Sequence, residues 1–526
     1  MVSGTKTPGW SLYYGMQDTR NCCMREQTTY YLDLLTKGLG RYTKRTKCTI
    51  AIVGAGMAGL VAGWLLQRAG LQVRLYEASQ RVGGRVRTLR EVFSSGLYAE
   101  AGAMRIPAPH KLTLHLCKMF GLPLIEFMED NSEALIYING KRGRRSDYLK
   151  GKYHFGRPYS ANKTAEGIVA QVLNPLTQYY KDEDRRIQLD TMSWGEYLHA
   201  FVHGSRNPIT EDNIPKNLKL TSGDIELIGF VFGAAEFRAS LLETVRDYMV
   251  IGVGTKYRIL GGMDLLPRSF ITLASDKQTT LVDSVRYHAR VTQINRVRPG
   301  KQYQVMSEHT LTKLPLSAET ADHVILAAPF SALTHVRFGD NVLPPERLHA
   351  IRNLHYENAT KIVLEFSRRF WEQDKQIYGG RSITDLPIRW TYYPSIGQNP
   401  VNSDRGLLLA SYTWGTDSLR WGSLNDSDRI RFALRNVAEL HNMKQSECEK
   451  LLVGGMSHSW AEDEYTFGAF ALFEPYQEKE LFEHVWKCHD RIHFAGEHTS
   501  LKHAWIEGAV ESGIRAAREI FEEASA

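Results

Sequence analysis

Cysteine is scarce here and carries no pairing pattern. The six in 526 residues (Cys22, Cys23, Cys48, Cys117, Cys448, Cys488) form no C-x2-C pair and have no histidine at ligand spacing. A disulfide scaffold and a zinc ribbon are both excluded, and no metal site is expected. Glycine and proline, 43 and 18 residues, are too few for collagen or a low-complexity chain. Charge of one sign is also lacking: 65 Lys and Arg against 58 Asp and Glu leave +7, spread along the chain, so no nucleic-acid partner is expected. The one compact basic run, residues 141–145, reads as a solvated loop. Residues 1–20 have no apolar core of signal-peptide length, which together with reduced thiols points to the cytoplasm. Only residues 48–67 run for about 20 positions without a charge, and three glycines within six positions, 54–59, argue against a membrane span. Repeats, heptads and biased tracts are missing as well.

What remains is a large globular chain, 43% apolar and 23% charged, long enough for two or more domains. The uncharged segment divides into a buried parallel strand, Thr49-Ile50-Ala51-Ile52-Val53, a turn, Gly54-Ala55-Gly56-Met57-Ala58-Gly59, and a helix over residues 60–68. Gly70 stops the helix and a second strand runs through residues 72–77. In this βαβ opening the first glycine permits the bend, the second lets backbone approach a pyrophosphate, and the third lets helix and strand pack closely. Glu77, 18 residues after Gly59, sits where a carboxylate accepts from ribose hydroxyls and repels a 2′-phosphate. A second glycine pair with three arginines follows, Arg81-Val82-Gly83-Gly84-Arg85-Val86-Arg87, which a nicotinamide site does not need.

Residues 109–246 carry amphipathic, helix-like stretches, notably 165–180 and 225–247, and read as a helical insertion within a substrate-binding segment. Short β runs return at 281–285, 289–294 and 323–329 and are expected to rejoin the first sheet. Aromatic-rich runs at 389–393 and 410–414 suit a separate substrate-facing sheet. A strand at 491–496 and a helix with apolar residues from Ile506 to Phe521 close the nucleotide domain. The expected organisation is α/β: an N-terminal extension (1–43), a Rossmann-type nucleotide domain in three parts (44–108, 247–330, 461–526), the insertion (109–246) and a mixed-sheet substrate domain (331–460). The extension is expected to pack on the main body.

Six separated blocks now stand in order: residues 52–60, 77–85, Gly102-Ala103-Met104-Arg105-Ile106-Pro107, Gly261-Gly262-Met263-Asp264, Thr360-Lys361-Ile362 and Phe494-Ala495-Gly496-Glu497-His498-Thr499. Over about residues 44–522 the chain resembles the flavin amine oxidase family and, within it, the L-amino acid oxidases. The resemblance implies a two-domain fold like that of amine oxidases and glutathione reductase, with FAD between the nucleotide domain and the substrate sheet. It implies cofactor contacts at Gly54, Ala55, Gly56, Met57, Ala58, Gly59, Glu77, Ala78, Arg85, Gly102, Ala103, Met104, Arg105, Val291, Glu497, Trp505, Ile506 and Ala509. Of these, Glu77 would meet ribose, Arg85 and Glu497 the diphosphate and ribityl, and the Val291 backbone adenine. Ala469 stands near where covalent members of the family carry a cysteine, so the flavin is expected to be non-covalent.

Arg105 is the functional discriminator, because a guanidinium beside the flavin grips an α-carboxylate with two charge-assisted hydrogen bonds, and a simple amine has none to offer. By resemblance Tyr392 holds the same carboxylate, although its neighbour Tyr393 is an alternative, and Phe470 and Trp505 form walls around the amine and Cα. Lys361 matches the family lysine that holds a water near flavin N5, and a depressed pKa would support that role. Two departures stand out: Ala504 replaces the glycine whose carbonyl receives the amine, and residues 242–247 contain no histidine where venom-type oxidases place a catalytic one. The expected reaction is oxidation of an L-amino acid by hydride transfer to flavin, with dioxygen as acceptor and oxo acid, ammonia and hydrogen peroxide as products. The alternatives are an amino-acid 2-monooxygenase giving an amide and, against Arg105, a monoamine or polyamine oxidase. A homodimer is expected by analogy.

Overall fold

The computed structural model describes residues 20–161, 163–203, 218–233, 237–248, 252, 254–272, 280–297, 301–394 and 404–526, with backbone alone for 20–26 and 183–184. The vicinal pair Cys22-Cys23 and the start of the extension therefore lie outside the described side chains. Five parallel strands build the nucleotide-binding sheet, in the order Val285–Arg286, Gln72–Tyr76, Thr49–Val53, His323–Leu326, Ile492–Phe494. Thr49–Val53 is central because it is apolar throughout: both faces are covered, by helix Met57–Arg68 on one side and by the cluster of Val291, Phe330 and Phe494 on the other. Helix Ile506–Ser525 packs against Met57–Arg68 so closely that a Cβ on Gly513 would come within 2.5 Å of the Ala58 carbonyl. Helix Arg20–Lys37 buries Tyr31 and Leu35 in the same core, so the described part of the extension packs on the main body.

The second large element is a seven-stranded mixed sheet, ordered Leu452–Ser459, Ala359–Phe366, Gly406–Trp414, Trp390–Tyr392, Arg381–Thr384, Leu135–Ile138, Lys141–Arg144. Its last two strands correct the reading of residues 109–246 as helical. Leu135–Ile138 is four buried residues in a row, too short for periodicity to separate strand from helix. The basic run is likewise no solvated loop: Lys141–Arg144 is the sheet's edge strand, Arg142 donates to the carbonyls of Leu440 and Glu439, and Arg145 is buried against Glu166. Leu124–Phe127 is a further strand, paired with Lys256–Ile259. Helices make up much of the other described residues, but residues 165–180 break at Pro175 and 225–247 break around a π turn at Gly229–Gly233.

Two β readings also change. Of residues 281–285 only Val285 enters the first sheet; Leu281 turns back to accept the Ser284 N–H. Ala289–Arg296 leaves that sheet for a four-stranded one, with Tyr303–His309, Glu319–Ala321 and Arg337–Phe338. A strand pattern shows that a segment pairs but not with whom. Among the described residues no helix is long and apolar enough to cross a membrane.

Candidate active site

The carboxyl ends of the parallel strands open into one cavity of about 920 Å³ that continues to the seven-stranded sheet, the usual place for a ligand in an open α/β sheet. At the nucleotide end the turn after Thr49–Val53 presents Gly56, where a Cβ would meet nothing within 4 Å. That open backbone surface, at the start of helix Met57–Arg68, is what a diphosphate needs. Glu77 follows strand Gln72–Tyr76. Its Oε2 accepts from the Ala55 N–H at 2.9 Å and its Oε1 from the Ser79 N–H and hydroxyl at 2.9 and 2.7 Å, which locks the carboxylate and leaves acceptor capacity for hydroxyls. Ala55 and Gly59 build the turn rather than the wall; Gly59 lies against the Gly54 carbonyl. Of the three arginines only Arg85 lines the cavity, since Arg81 donates to the Gly84 carbonyl and Arg87 faces His458.

Arg85 Nη1 donates to Glu497 Oε1 at 2.7 Å and to the Ala469 carbonyl at 3.0 Å. Glu497, buried at the turn Glu497–Thr499, also accepts from the N–H groups of Ala471 and Ala504. Burial opposes its ionisation, but Arg85 foremost, with His503 and His498, holds its pKa below the usual carboxylate range. Ala78, Gly102, Ala103, Met104, Val291, Ile506 and Ala509 all line the cavity, the last two from the N-terminal turn of the closing helix. Among the described lining residues none is cysteine. The open cradle at Gly56, the ordered Glu77 carboxylate and the Arg85–Glu497 pair fit FAD, held without a covalent bond.

At the other end the segment 101–105 is clamped between domains. Gly102 has no room for a side chain, since a Cβ would lie 1.8 Å from the Arg85 carbonyl and 3.0 Å from Trp460, and Trp460 Nε1 donates to the Ala101 carbonyl at 2.9 Å. The clamp aims Arg105 into the cavity. Arg105 Nη1 donates to Tyr392 Oη at 3.1 Å, and the guanidinium stands 5.9 Å from the Trp505 ring. Tyr392 lies buried behind Arg105. Tyr393 points through the sheet to Ser382 and His441, at 2.7 and 2.9 Å, and belongs to the core of the opposite face. The same Arg105 nitrogen lies 2.6 Å from Glu129 Oε1, while Glu129 Oε2 pairs with Lys256. An incoming carboxylate must therefore compete with Glu129. Glu129→Gln is expected to lower KM for carboxylate substrates about 3–10-fold with a smaller change in kcat, the worth of an ion pair of about 1 kcal/mol; steady-state kinetics decides, and a raised KM shows instead that Glu129 orients Arg105.

Lys361 lies on Ala359–Phe366, a strand buried along its whole length, so no outward alternation exists there. Its Nζ donates to the carbonyls of Gly102 at 2.6 Å and Glu100 at 3.3 Å and stands 4.7 Å from the Tyr412 ring. Burial brings its pKa down to about 7, Glu100 opposing and Arg105 adding to the fall. Phe470 packs edge-on against Trp414, which meets Trp390 and Tyr412 in the same way. Trp414, Trp390 and Tyr412 all line the cavity. The sequence assigned a role by residue only to Phe470 in this wall and marked the others as part of the aromatic runs 389–393 and 410–414; the alternation of Tyr412 with Trp414 along one strand face was the signal that picks them out. Trp505, on the other side, donates from Nε1 to Asp247 at 3.2 Å.

Two features near residue 504 bear on the departures seen in the sequence. Ala504 has φ +64, so its backbone takes the left-handed conformation a glycine would adopt, at a cost of about 1 kcal/mol. The segment that lacks a histidine faces one: His503 lines the cavity, and its Nδ1 lies 2.8 Å from Glu243 Oε1 on helix Leu241–Arg246. Burial opposes protonation of His503, but Glu243 overrides it and holds the pKa above that of an ordinary imidazole. Arg246 pins Glu243 at 3.0 Å and Glu478 at 2.7 Å. The insertion thus contributes the carboxylate and the C-terminal segment the imidazole.

A family profile described as flavin containing amine oxidoreductase matches residues 57–521. The protein YobN of Bacillus subtilis (strain 168), provisionally named an L-amino-acid oxidase, is 37% identical over 482 residues, covering 90% of this chain and 94% of its own. The L-amino-acid oxidase of Siganus canaliculatus is 35% identical over 484 residues, covering 90% and 85%. Among solved structures, cyclohexylamine oxidase from Brevibacterium oxydans IH-35A shares the fold with a TM-score of 0.68 at 16% identity, over 91% of this chain and 99% of that one.

Proposed function

The chain belongs to the flavin-containing amine oxidoreductases, and within that family we propose that it oxidises L-amino acids to 2-oxo acids, releasing ammonia and hydrogen peroxide. The carrying observation is Arg105, which lines the cavity, clamped by its glycine-tight loop and hydrogen-bonded to the buried Tyr392 behind it. Bound FAD supplies a two-electron acceptor for the Cα hydride and passes the electrons to dioxygen.

The protein's own residues position and shield. Arg105, held from behind by Tyr392, takes the carboxylate, which leaves the side chain to the aromatic wall of Phe470, Trp414, Trp390 and Tyr412. This wall excludes water and favours the uncharged amine, the form able to release hydride. The Ala504 carbonyl is placed to receive the amine, with the His503–Glu243 pair beside it to hold a proton. The Lys361 amine, near neutral pKa, holds a water at the wall formed by Gly102 and Tyr412. The N-terminus of helix Ile506–Ser525 faces the cavity and stabilises negative charge developing there. Cytoplasmic placement and a homodimer are part of the proposal, the first supported by unpaired Cys48, Cys117, Cys448 and Cys488.

Anaerobic titration of the purified holoenzyme with L-amino acids, D-amino acids and the corresponding amines tests the reading. L-amino acids are expected to bleach the flavin, and under air to give equal yields of oxo acid and peroxide. Carbon dioxide and amide instead would mark a monooxygenase, and bleaching by amines alone would overturn the assignment.

A further inference from the structure

At the end of the parallel sheet away from the cavity, strands His323–Leu326 and Ile492–Phe494 lie side by side, with Ile325 opposite His493. Because alternate residues share a face, His323 and His493 emerge on the same side, ring centroids 5.6 Å apart. The last turns of helix Ile506–Ser525 lie over them and supply Glu519 and Glu523, one helical turn apart. His493 Nδ1 is 3.0 Å from Glu519 Oε2, so Nδ1 donates to that carboxylate and Nε2 faces away from it. That Nε2 lies 3.9 Å from Glu523 Oε2, and His323 Nδ1 lies 3.8 Å from the same oxygen. Both histidines are at most 2% exposed, and both of these nitrogens lack a hydrogen-bond partner. A buried polar atom left so is costly and calls for an occupant.

We propose that His323, His493 and Glu523 bind a divalent transition-metal ion of the zinc class. The three ligand atoms lie within 4.8 Å of one another. Tetrahedral zinc with bonds of about 2.0–2.1 Å asks for separations of about 3.3–3.4 Å, about half an ångström less than the 3.8 and 3.9 Å from Glu523 Oε2 to the two ring nitrogens. The half-exposed Glu523 side chain can supply that closure, while the ring nitrogens close on each other by rotation of the imidazoles. Glu519 behind His493 completes the carboxylate–histidine–metal arrangement that fixes tautomer and ring orientation. Two arginines hold the carboxylates from their other oxygens: Arg515 is 3.0 Å from Glu519 Oε1 and Arg491 is 3.6 Å from Glu523 Oε1. The charged pairs thus compensate each other, and the Oε2 atoms stay turned to the histidines. Among the described residues, every convergence of three metal-ligating side chains includes His493. Bound here, the ion ties the end of the closing helix to the sheet whose other end holds the nucleotide.

The test uses the holoenzyme, stripped with chelator and dialysed against Zn²⁺, with metal counted per flavin. One zinc per chain is expected, with a rise in Tm, and Co²⁺ in its place is expected to show tetrahedral bands to the red of the flavin absorption. Glu523→Gln and His323→Gln are expected to weaken zinc binding about 100-fold or more, and Glu519→Gln about 10–100-fold, with flavin content and turnover unchanged. Glu523→Gln sits on a half-exposed helix position, so it keeps the test open if the buried His323 variant does not fold. The proposal is overturned by no zinc above background, by undiminished binding in Glu523→Gln, or by a crystal of the zinc-dialysed protein showing only a bridging water between the histidines.

Discussion

In an Arg105→Met variant, kcat/KM for L-amino acids is expected to fall by about 10²–10⁴-fold, while kcat/KM for the corresponding amines changes by less than about 10-fold. The first figure follows from two charge-assisted hydrogen bonds of about 1.5–3 kcal/mol each. The second follows because an amine never used the guanidinium. The loss should fall mostly on KM if the carboxylate contact is equally strong in ground and transition states. The variant should also fold: Glu129, which loses Arg105, keeps Lys256, so no buried charge is left alone. Steady-state kinetics on amino acid and amine pairs with the same side chain gives the ratio directly. If both substrate classes drop together, Arg105 supports the loop rather than the substrate, and the proposed substrate class falls with it.

Lys361→Met is expected to cut kcat about 100-fold, within the range of a positioned proton-handling group, and to leave KM nearly unchanged. Because burial sets the Lys361 pKa to about 7, the wild-type profile should carry a limb near that pH, activity rising as the amine loses its proton, and the variant should lack it. Lys256, also lowered to about 7 by burial and then by Arg105 and Arg381, provides the control: Lys256→Met should keep the limb. Stability gives an independent reading. A lysine whose folded pKa lies below its unfolded value of about 10.5 binds more protons when unfolded, so its contribution to stability grows from pH 7 upward and is complete above about 10.5. The Tm of the wild type should therefore gain on that of Lys361→Met between pH 7 and 10. A pH-independent Tm difference would show that the lysine is not the perturbed group.

The glycine turn, Glu77 and the strand–helix–strand order around them were legible in the sequence because phosphate binding at a helix start is a local arrangement, encoded within about thirty consecutive residues. The wall was not. Trp390, Tyr412, Trp414 and Phe470 converge only because Trp390–Tyr392 and Gly406–Trp414 pair in one register and the short strand Tyr356–Glu357 brings Phe470 beside them. Tyr392 and Tyr393 are equivalent as letters, and the pleat separated them, one toward Arg105 and one toward His441. The absent histidine shows the same limit: a search along residues 242–247 finds Glu243, whereas the imidazole arrives from position 503, 260 residues further on.

What the sequence alone determined was the nucleotide half, the family resemblance and the position of the arginine proposed to bind a carboxylate, since each rests on residues adjacent in the chain or at motif spacing. What tertiary structure decided was partnership: Glu129 against Arg105, Glu243 against His503, Lys361 against the Gly102 carbonyl, His323 beside His493. The physical reason is that side-chain charge and hydrogen bonding act over a few ångströms of space, and only sheet register and helix docking bring residues hundreds of positions apart within that reach.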